Sequence, residues 1–193
     1  AILRTSKIKL HALRGLLNAG AMLCFFYGLS ITPLAQVTAL SFAVPLFATL
    51  FAVLLLREII KIRRITALLI GFFGTLVIIR PGLIDFGLGP ILILSQAIIW
   101  SLALMVIKVL TRTDSSLTIA IYASIFLSPM VLIAAIPVWQ SPTVYQLILM
   151  LIIATFGTIA QTLMNESLKL GETSVVMPVE FTRMIWAALF GYC

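Results

Sequence analysis

The 193-residue chain is 62% apolar and 10% charged, against about 45–50% apolar and about 25% charged in an ordinary soluble domain, so a water-facing surface cannot be built from it. Thirteen Lys and Arg against six Asp and Glu give a net charge of +7. These bases fall in short clusters between long apolar runs, which excludes the patterned basic face of a nucleic-acid binder. The relevant unit is the run of roughly 20 apolar residues that crosses about 30 Å of hydrocarbon.

In chain order the spans are expected at 14–31, 36–56, 65–80, 88–109, 117–138, 145–166 and 174–193. Backbone amides in lipid must bond within the segment or around a closed barrel. Unbroken apolar stretches such as 43–56 lack the strict alternation of barrel strands, so the spans are helices. The expected fold class is an all-α polytopic membrane protein. The third span is the shortest, and Ile59, Ile60 or Ile62 is expected to extend it. Pro45, Pro129 and Pro178 lie within spans, where each removes a backbone donor and kinks or breaks the helix. Trp139 and Tyr145 flank the fifth and sixth spans as interface anchors.

Sorting the connecting segments alternately puts Arg4, Lys7, Lys9, Arg14, Arg57, Lys61, Arg63, Arg64, Lys108, Arg112 and Lys169 on one side, with Arg80 alone on the other. Cytoplasmic loops are enriched in Lys and Arg, so residues 1–14 are expected in the cytoplasm. The basic start followed by an apolar run has no small-residue cleavage site, and it reads as a cytoplasmic loop rather than a signal peptide. The chain has no initiator Met and stops as its last span ends, so it is expected to be a fragment with helices missing at both ends.

Cys24 and Cys193 lie far apart in apolar stretches, with no Cys-x-x-Cys pair and no His partner, which gives packing residues rather than a disulfide or metal site. No cofactor is implied. His11, among Arg4, Lys7, Lys9 and Arg14, is expected to be a solvated juxtamembrane residue. Glu58 and Glu166, at cytoplasmic span ends near bases, are expected to be solvated salt-bridge caps. Small residues four apart mark helix contact faces in lipid, and Ala39 with Ala43, Ala48 with Ala52, Ala67 with Gly71, and Ala154 with Thr158 are the candidates.

An offset of 139 residues places Leu29 on Leu168, Val37 on Val176, Phe42 on Phe181, Ala48 on Ala187, Leu50 on Leu189 and Phe51 on Phe190. The matched segments are five spans apart. An odd number reverses orientation, so this is the pattern of an inverted repeat, the plan of secondary transporters that alternate about a midplane site.

Glu180 and Arg183 are the most informative polar positions. Each would cost on the order of 3 kcal/mol in the last span unless paired or lining a wet cavity. Three residues apart on a helix, they can meet; one reading is a local ion pair that locks packing, and the favoured one is a substrate or proton site. Ser41, Gln96 and Asn165 are further candidates to line it, as are Asn18, Ser101 and Gln161, although such groups also serve simply to bond a neighbouring helix. Trp100 and Tyr122 are candidates to stack on a planar or cationic substrate. Enzyme chemistry finds no foothold: there is no His-Glu-x-x-His, no Gly-x-Ser-x-Gly and no Gly-rich phosphate loop with Lys. Asp85 and Asp114 are expected on opposite sides of the membrane.

The stretch TPLAQVTALSFAVPLF from Thr32 to Phe47, the acid of Arg57-Glu58, the run ALLIGFFGTLVI from Ala67 to Ile78, and LGETSVVMPVE from Leu170 to Glu180 resemble the EamA-type repeats of the drug/metabolite transporter superfamily. Within it the chain is most similar in look to bacterial carriers related to S-adenosylmethionine uptake proteins. The resemblance implies ten helices in two inverted five-helix repeats. Residues 1–82 would be the C-terminal part of the first and residues 83–193 the N-terminal part of the second, with two helices missing before and one after. Arg57-Glu58 departs from the Gly-Glu often seen at that turn in the family.

The function expected is therefore secondary transport of a small polar metabolite, amino-acid-like or S-adenosylmethionine-like, across a bacterial inner membrane by alternating access. Arg183 would hold a carboxylate, and Glu180 an ammonium or a coupling proton. The alternatives are a membrane-embedded lipid-processing enzyme and a non-transporting scaffold subunit in which Glu180 and Arg183 serve packing alone.

Overall fold

The computed structural model describes residues 5–59, 61–79 and 87–182. Among them the regular structure is entirely helical: α1 Ile8–Ser30, α2 Leu34–Ser41, α3 Val44–Leu56, α4 Ile62–Ile79, α5 Leu88–Leu110, α6 Ser116–Ala135, α7 Val144–Leu170 and α8 Thr173–Val176. Single 3₁₀ segments follow α6 at Ile136–Val138 and α8 at Met177–Phe181. Among the described residues five stretches are long and apolar enough to cross a membrane, namely Ile8–Ser30, Gln36–Leu56, Leu88–Leu110, Ser116–Val138 and Val144–Leu170. A shorter apolar helix is Ile65–Gly74. Arg183, Asp85, Cys193 and the remainder of the last expected span lie outside the described residues.

The helix boundaries follow from local chemistry. The Ser115 side chain accepts the Thr118 N–H and starts α6. Ser115 itself is extended, as an N-cap should be. At the end of α3, Arg57 is left-handed at φ 55°, which turns the Glu58 N–H back to the Ala52 carbonyl at 3.2 Å. That conformation explains why glycine suits this turn, since a side chain costs about 1 kcal/mol or more there. Ile62 does extend the third span, which then has 18 residues.

Two spans are interrupted. α2 stops at Ser41, a turn at Phe42 and Ala43 intervenes, and α3 resumes with Pro45 in its first turn. Proline fits there because its missing N–H would have no helical partner. The last expected span begins as the four-residue α8 and tightens into the 3₁₀ segment around Pro178. Shifted by 139, α1 would run 147–169, against Val144–Leu170 observed for α7, and the start of α2 at Leu34 falls on the start of α8 at Thr173.

The chain divides into two compact units, one of residues Ala1–Ala19 with Val106–Leu170 and the other of Gly20–Met105 with Gly171–Cys193. In the first, α1 and α6 approach so closely at Gly15 that a Cβ there would collide with the Phe126 side chain. α6 packs along α7, where the Asn165 amide donates to the Ser116 carbonyl at 3.3 Å. Lys108 Nζ donates to the Leu168 carbonyl, satisfying an acceptor at the end of α7 that has no helical donor.

In the second unit, α3 packs against α4, α8 and the Met177–Phe181 segment. Ala39, Ala43, Ala48 and Ala52 are all buried, as small residues at contact faces should be. Of the pair Ala67 and Gly71 only Gly71 fills the expected role, with the Phe181 ring where its Cβ would be, while Ala67 is exposed. Ala154 and Thr158 do not: α7 is exposed at both, and the Thr158 hydroxyl bonds the Ala154 carbonyl of its own helix at 2.7 Å.

Candidate functional site

The interrupted segments of the second unit meet each other. Phe42, in the turn between α2 and α3, stacks on Phe181 at the end of the 3₁₀ segment, with ring centroids 5.7 Å apart and planes at 15°. This sets the Ser41–Phe42 turn beside the Glu180–Phe181 turn. Ser101 of α5 lies against the first of them: its hydroxyl is 2.6 Å from its own Ala97 carbonyl and 3.1 Å from the Val44 carbonyl at the start of α3.

The expected site residues divide between the two units. Ser41, Gln96, Trp100 and Glu180 belong to the second. Ser41 is buried and bonds its own helix at the Val37 carbonyl, 2.8 Å away. Gln96 is half-buried, and its Oε1 is sealed from solvent without a hydrogen-bond donor. Trp100, one turn along α5, and Glu180 are both half-buried. Tyr122 and Asn165 belong to the first unit. Asn165 is fully buried, and its oxygen accepts from Gln161 while its amide ties α7 to α6.

Tyr122 participates in a buried polar cluster that the sequence reading missed. His11 is not solvated: its side chain is fully buried, with Nε2 2.7 Å from Asp114 Oδ2 and its ring 4.6 Å from that of Tyr122. The reason is that α1 begins at Ile8, so His11 faces the α5–α6 turn instead of a loop. Thr5 donates to the same Asp114 oxygen at 2.7 Å. Burial alone would raise the Asp114 carboxyl, but the hydrogen bonds from Thr5 and His11 and the nearby positive charges of His11 and Lys7 outweigh it and hold the carboxyl below its ordinary value. One turn along α1, Arg14 is also fully buried and donates from Nη1 to the Ile119 carbonyl of α6. The signal available in the sequence was the spacing of His11, Arg14 and Asn18, which puts all three on one helix face.

Glu58 also departs from expectation. Its two carboxylate oxygens accept the backbone N–H groups of Thr173 and Ser174 at 3.1 and 3.2 Å. It therefore caps the start of α8, which its own N-cap residue Glu172 does not. Glu166 matches expectation in pairing with Lys169 at 3.5 Å, half-exposed, and it accepts a hydrogen bond from Ser116 as well. Among the described residues there is no group of three or more His, Cys, Asp or Glu that could hold a metal ion.

These features define a class, a bundle of apolar helices in which two helices are interrupted and abut beside buried polar groups. The chain belongs to the EamA-like transporter family, whose model matches residues 1–80 and 87–193. It is 28% identical over 190 residues to the S-adenosylmethionine uptake transporter of Rickettsia bellii, covering 98% of this chain and 65% of that protein. It is 31% identical over 192 residues to the riboflavin transporter of Vibrio cholerae, covering 98% and 64%. The chain thus spans about two-thirds of the length of these relatives. A solved crystal structure shares the fold at a TM-score of 0.72 with 21% identity, covering 98% of this chain and 71% of that one.

Proposed function

We propose that this chain is the greater part of a secondary transporter that moves a small polar metabolite across the bacterial inner membrane by alternating access. The observation that carries the reading is the abutment of two interrupted helix segments at Phe42 and Phe181. Discontinuous helices at a repeat interface are where such carriers bind substrate. Family membership and the names of the relatives support the same class.

In this reading residues 1–82 and 83–193 are parts of two inverted repeats of a ten-helix fold, and residues 1–14 face the cytoplasm. The coincident starts of α2 and α8 support the repeat. Equivalent positions of a two-fold arrangement meet only beside its axis, which Phe42 and Phe181 would then mark. Substrate lies against Glu180, Ser41, Gln96 and Trp100, with Arg183 holding an anionic group and Glu180 an ammonium or a coupling proton. The unsatisfied Oε1 of Gln96 supports its place in that set. Tyr122 and Asn165 are weaker members, because the ring contact with His11 and the ties to Ser116 and Gln161 already occupy them.

The relatives' names make S-adenosylmethionine and riboflavin the first substrates to try. Cells expressing the full-length protein should accumulate or expel one member of a labelled panel that includes both and the common amino acids, saturably and above the empty-vector control. Lipid turnover proportional to purified protein, with no movement of any solute, would instead favour the enzyme reading.

A further inference from the structure

Arg14 is spent on one side only. Its Nη1 reaches the Ile119 carbonyl, while Nε and Nη2 are sealed from solvent and have no hydrogen-bond partner. Those two nitrogens share one edge of the guanidinium plane and point their N–H groups in parallel, the fork that grips a carboxylate with two bonds. A buried guanidinium with two idle donors is costly, so a group that satisfies both is strongly favoured there. The residues flanking Arg14 on the same face of α1 are unsatisfied too. Asn18, one turn along, is buried with its Oδ1 unpaired, and His11, one turn back, has Nδ1 buried and unpaired. His11 Nε2 is engaged by the Asp114 carboxylate, which leaves Nδ1 as the ring atom turned to this face. The face therefore offers a two-pronged donor set beside the Asn18 Oδ1 acceptor, the complement of a carboxylate carried beside an ammonium.

We propose that the Nε–Nη2 edge of Arg14, flanked by Asn18 and His11, is a binding site for the carboxylate and ammonium of an amino-acid-like head group. The inference rests on the carrier reading and adds a position, on α1, that the expected site residues do not include. The edge is closed to solvent in this conformation, so the head group reaches it when α1 and α6 part and is occluded when they close.

The test is thermal stabilisation of the purified full-length protein by S-adenosylmethionine and by its decarboxylated analogue, in the wild type and in Arg14→Lys, which keeps the charge and loses the fork. The expected result is about tenfold tighter binding of S-adenosylmethionine than of the analogue, one bidentate contact's worth. Arg14→Lys should erase that difference. If Arg14→Lys does not fold, Asn18→Leu decides: it removes the acceptor offered to the ammonium, and binding of S-adenosylmethionine as tight as in the wild type overturns the proposal. Equal binding of both compounds by the wild type overturns the proposal, as does unaltered preference in Arg14→Lys. So does the failure of S-adenosylmethionine, L-methionine and L-glutamate alike to stabilise the wild type at millimolar concentration. Stabilisation by phosphatidylglycerol vesicles alone would assign the edge to a lipid phosphate and likewise overturn it. The carrier reading fails separately: carboxylate-dependent binding without movement across a membrane sinks transport and keeps the site, while transport indifferent to the carboxylate does the reverse.

Discussion

Phe42 and Phe181 stand 139 residues apart, occupy matching places in two interrupted spans, and stack on one another nearly in parallel. Phe42 is fully buried, so Phe42→Ala is expected to cost about 3–5 kcal/mol of stability, and Phe181→Ala, half-buried, less. The double substitution should fall short of the sum by about 0.5–1.5 kcal/mol, the worth of the ring pair. Thermal or denaturant unfolding of the four proteins in one detergent checks this, and strict additivity would show that the rings are neighbours without energetic coupling.

The turn after α3 offers an opposite pair of effects. Arg57 holds a left-handed conformation that glycine adopts freely, so Arg57→Gly should stabilise the protein by about 1 kcal/mol. Glu58→Ala removes the acceptors of two backbone N–H groups at the buried start of α8 and should cost about 1–2 kcal/mol. Melting temperatures read both, and a neutral Glu58→Ala would mean that water replaces the cap.

Gly15 sets how near α1 comes to α6. Gly15→Ala would drive a methyl into Phe126 and should destabilise by about 1–3 kcal/mol, whereas Gly20→Ala and Gly157→Ala, with open space around them, should be neutral or slightly stabilising in their helices. Three single-variant melting curves settle the contrast.

Asp114 gives a pH dependence of definite sign. Its carboxyl is held below the ordinary 3.8 in the folded protein, so the unfolded chain binds the proton more readily. The stabilisation is present above about pH 4 and is lost as pH falls through the lower folded value. Asp114→Asn should lower the melting temperature at neutral pH, by about 1–3 kcal/mol in stability, and flatten the decline in acid. An equally steep acid decline in Asp114→Asn would place its origin in another carboxylate.

The sequence shows the helices well because lipid leaves the backbone no alternative, and the breaks are legible at Pro45 and Pro178, whereas α6 runs on through Pro129. It placed the start of α1 six residues late, since an apolar-run reading stops at Arg14 and His11. Those residues are carried into the helix by Asp114 and Ile119, partners 103 and 105 positions away. Glu58 looked solvated among neighbouring bases for the same reason: its partners are 115 and 116 residues on. Charges whose partners are distant in sequence read as surface. Ser41, Gln96, Trp100 and Glu180 were legible as polar interruptions of apolar spans, while Asn18 and Arg14 became prominent only once their unsatisfied atoms were counted.

The most direct test of the account is solute counterflow into proteoliposomes holding the purified full-length protein or its Glu180→Gln variant, using S-adenosylmethionine and riboflavin on the two sides. The account predicts saturable exchange of at least one of them, reduced at least about tenfold by Glu180→Gln, the loss of a charge contact that binds substrate or proton. Exchange undiminished in Glu180→Gln would contradict the assignment of the interrupted helices as the transport site, and the absence of exchange for these two and for the amino acids would contradict the carrier itself.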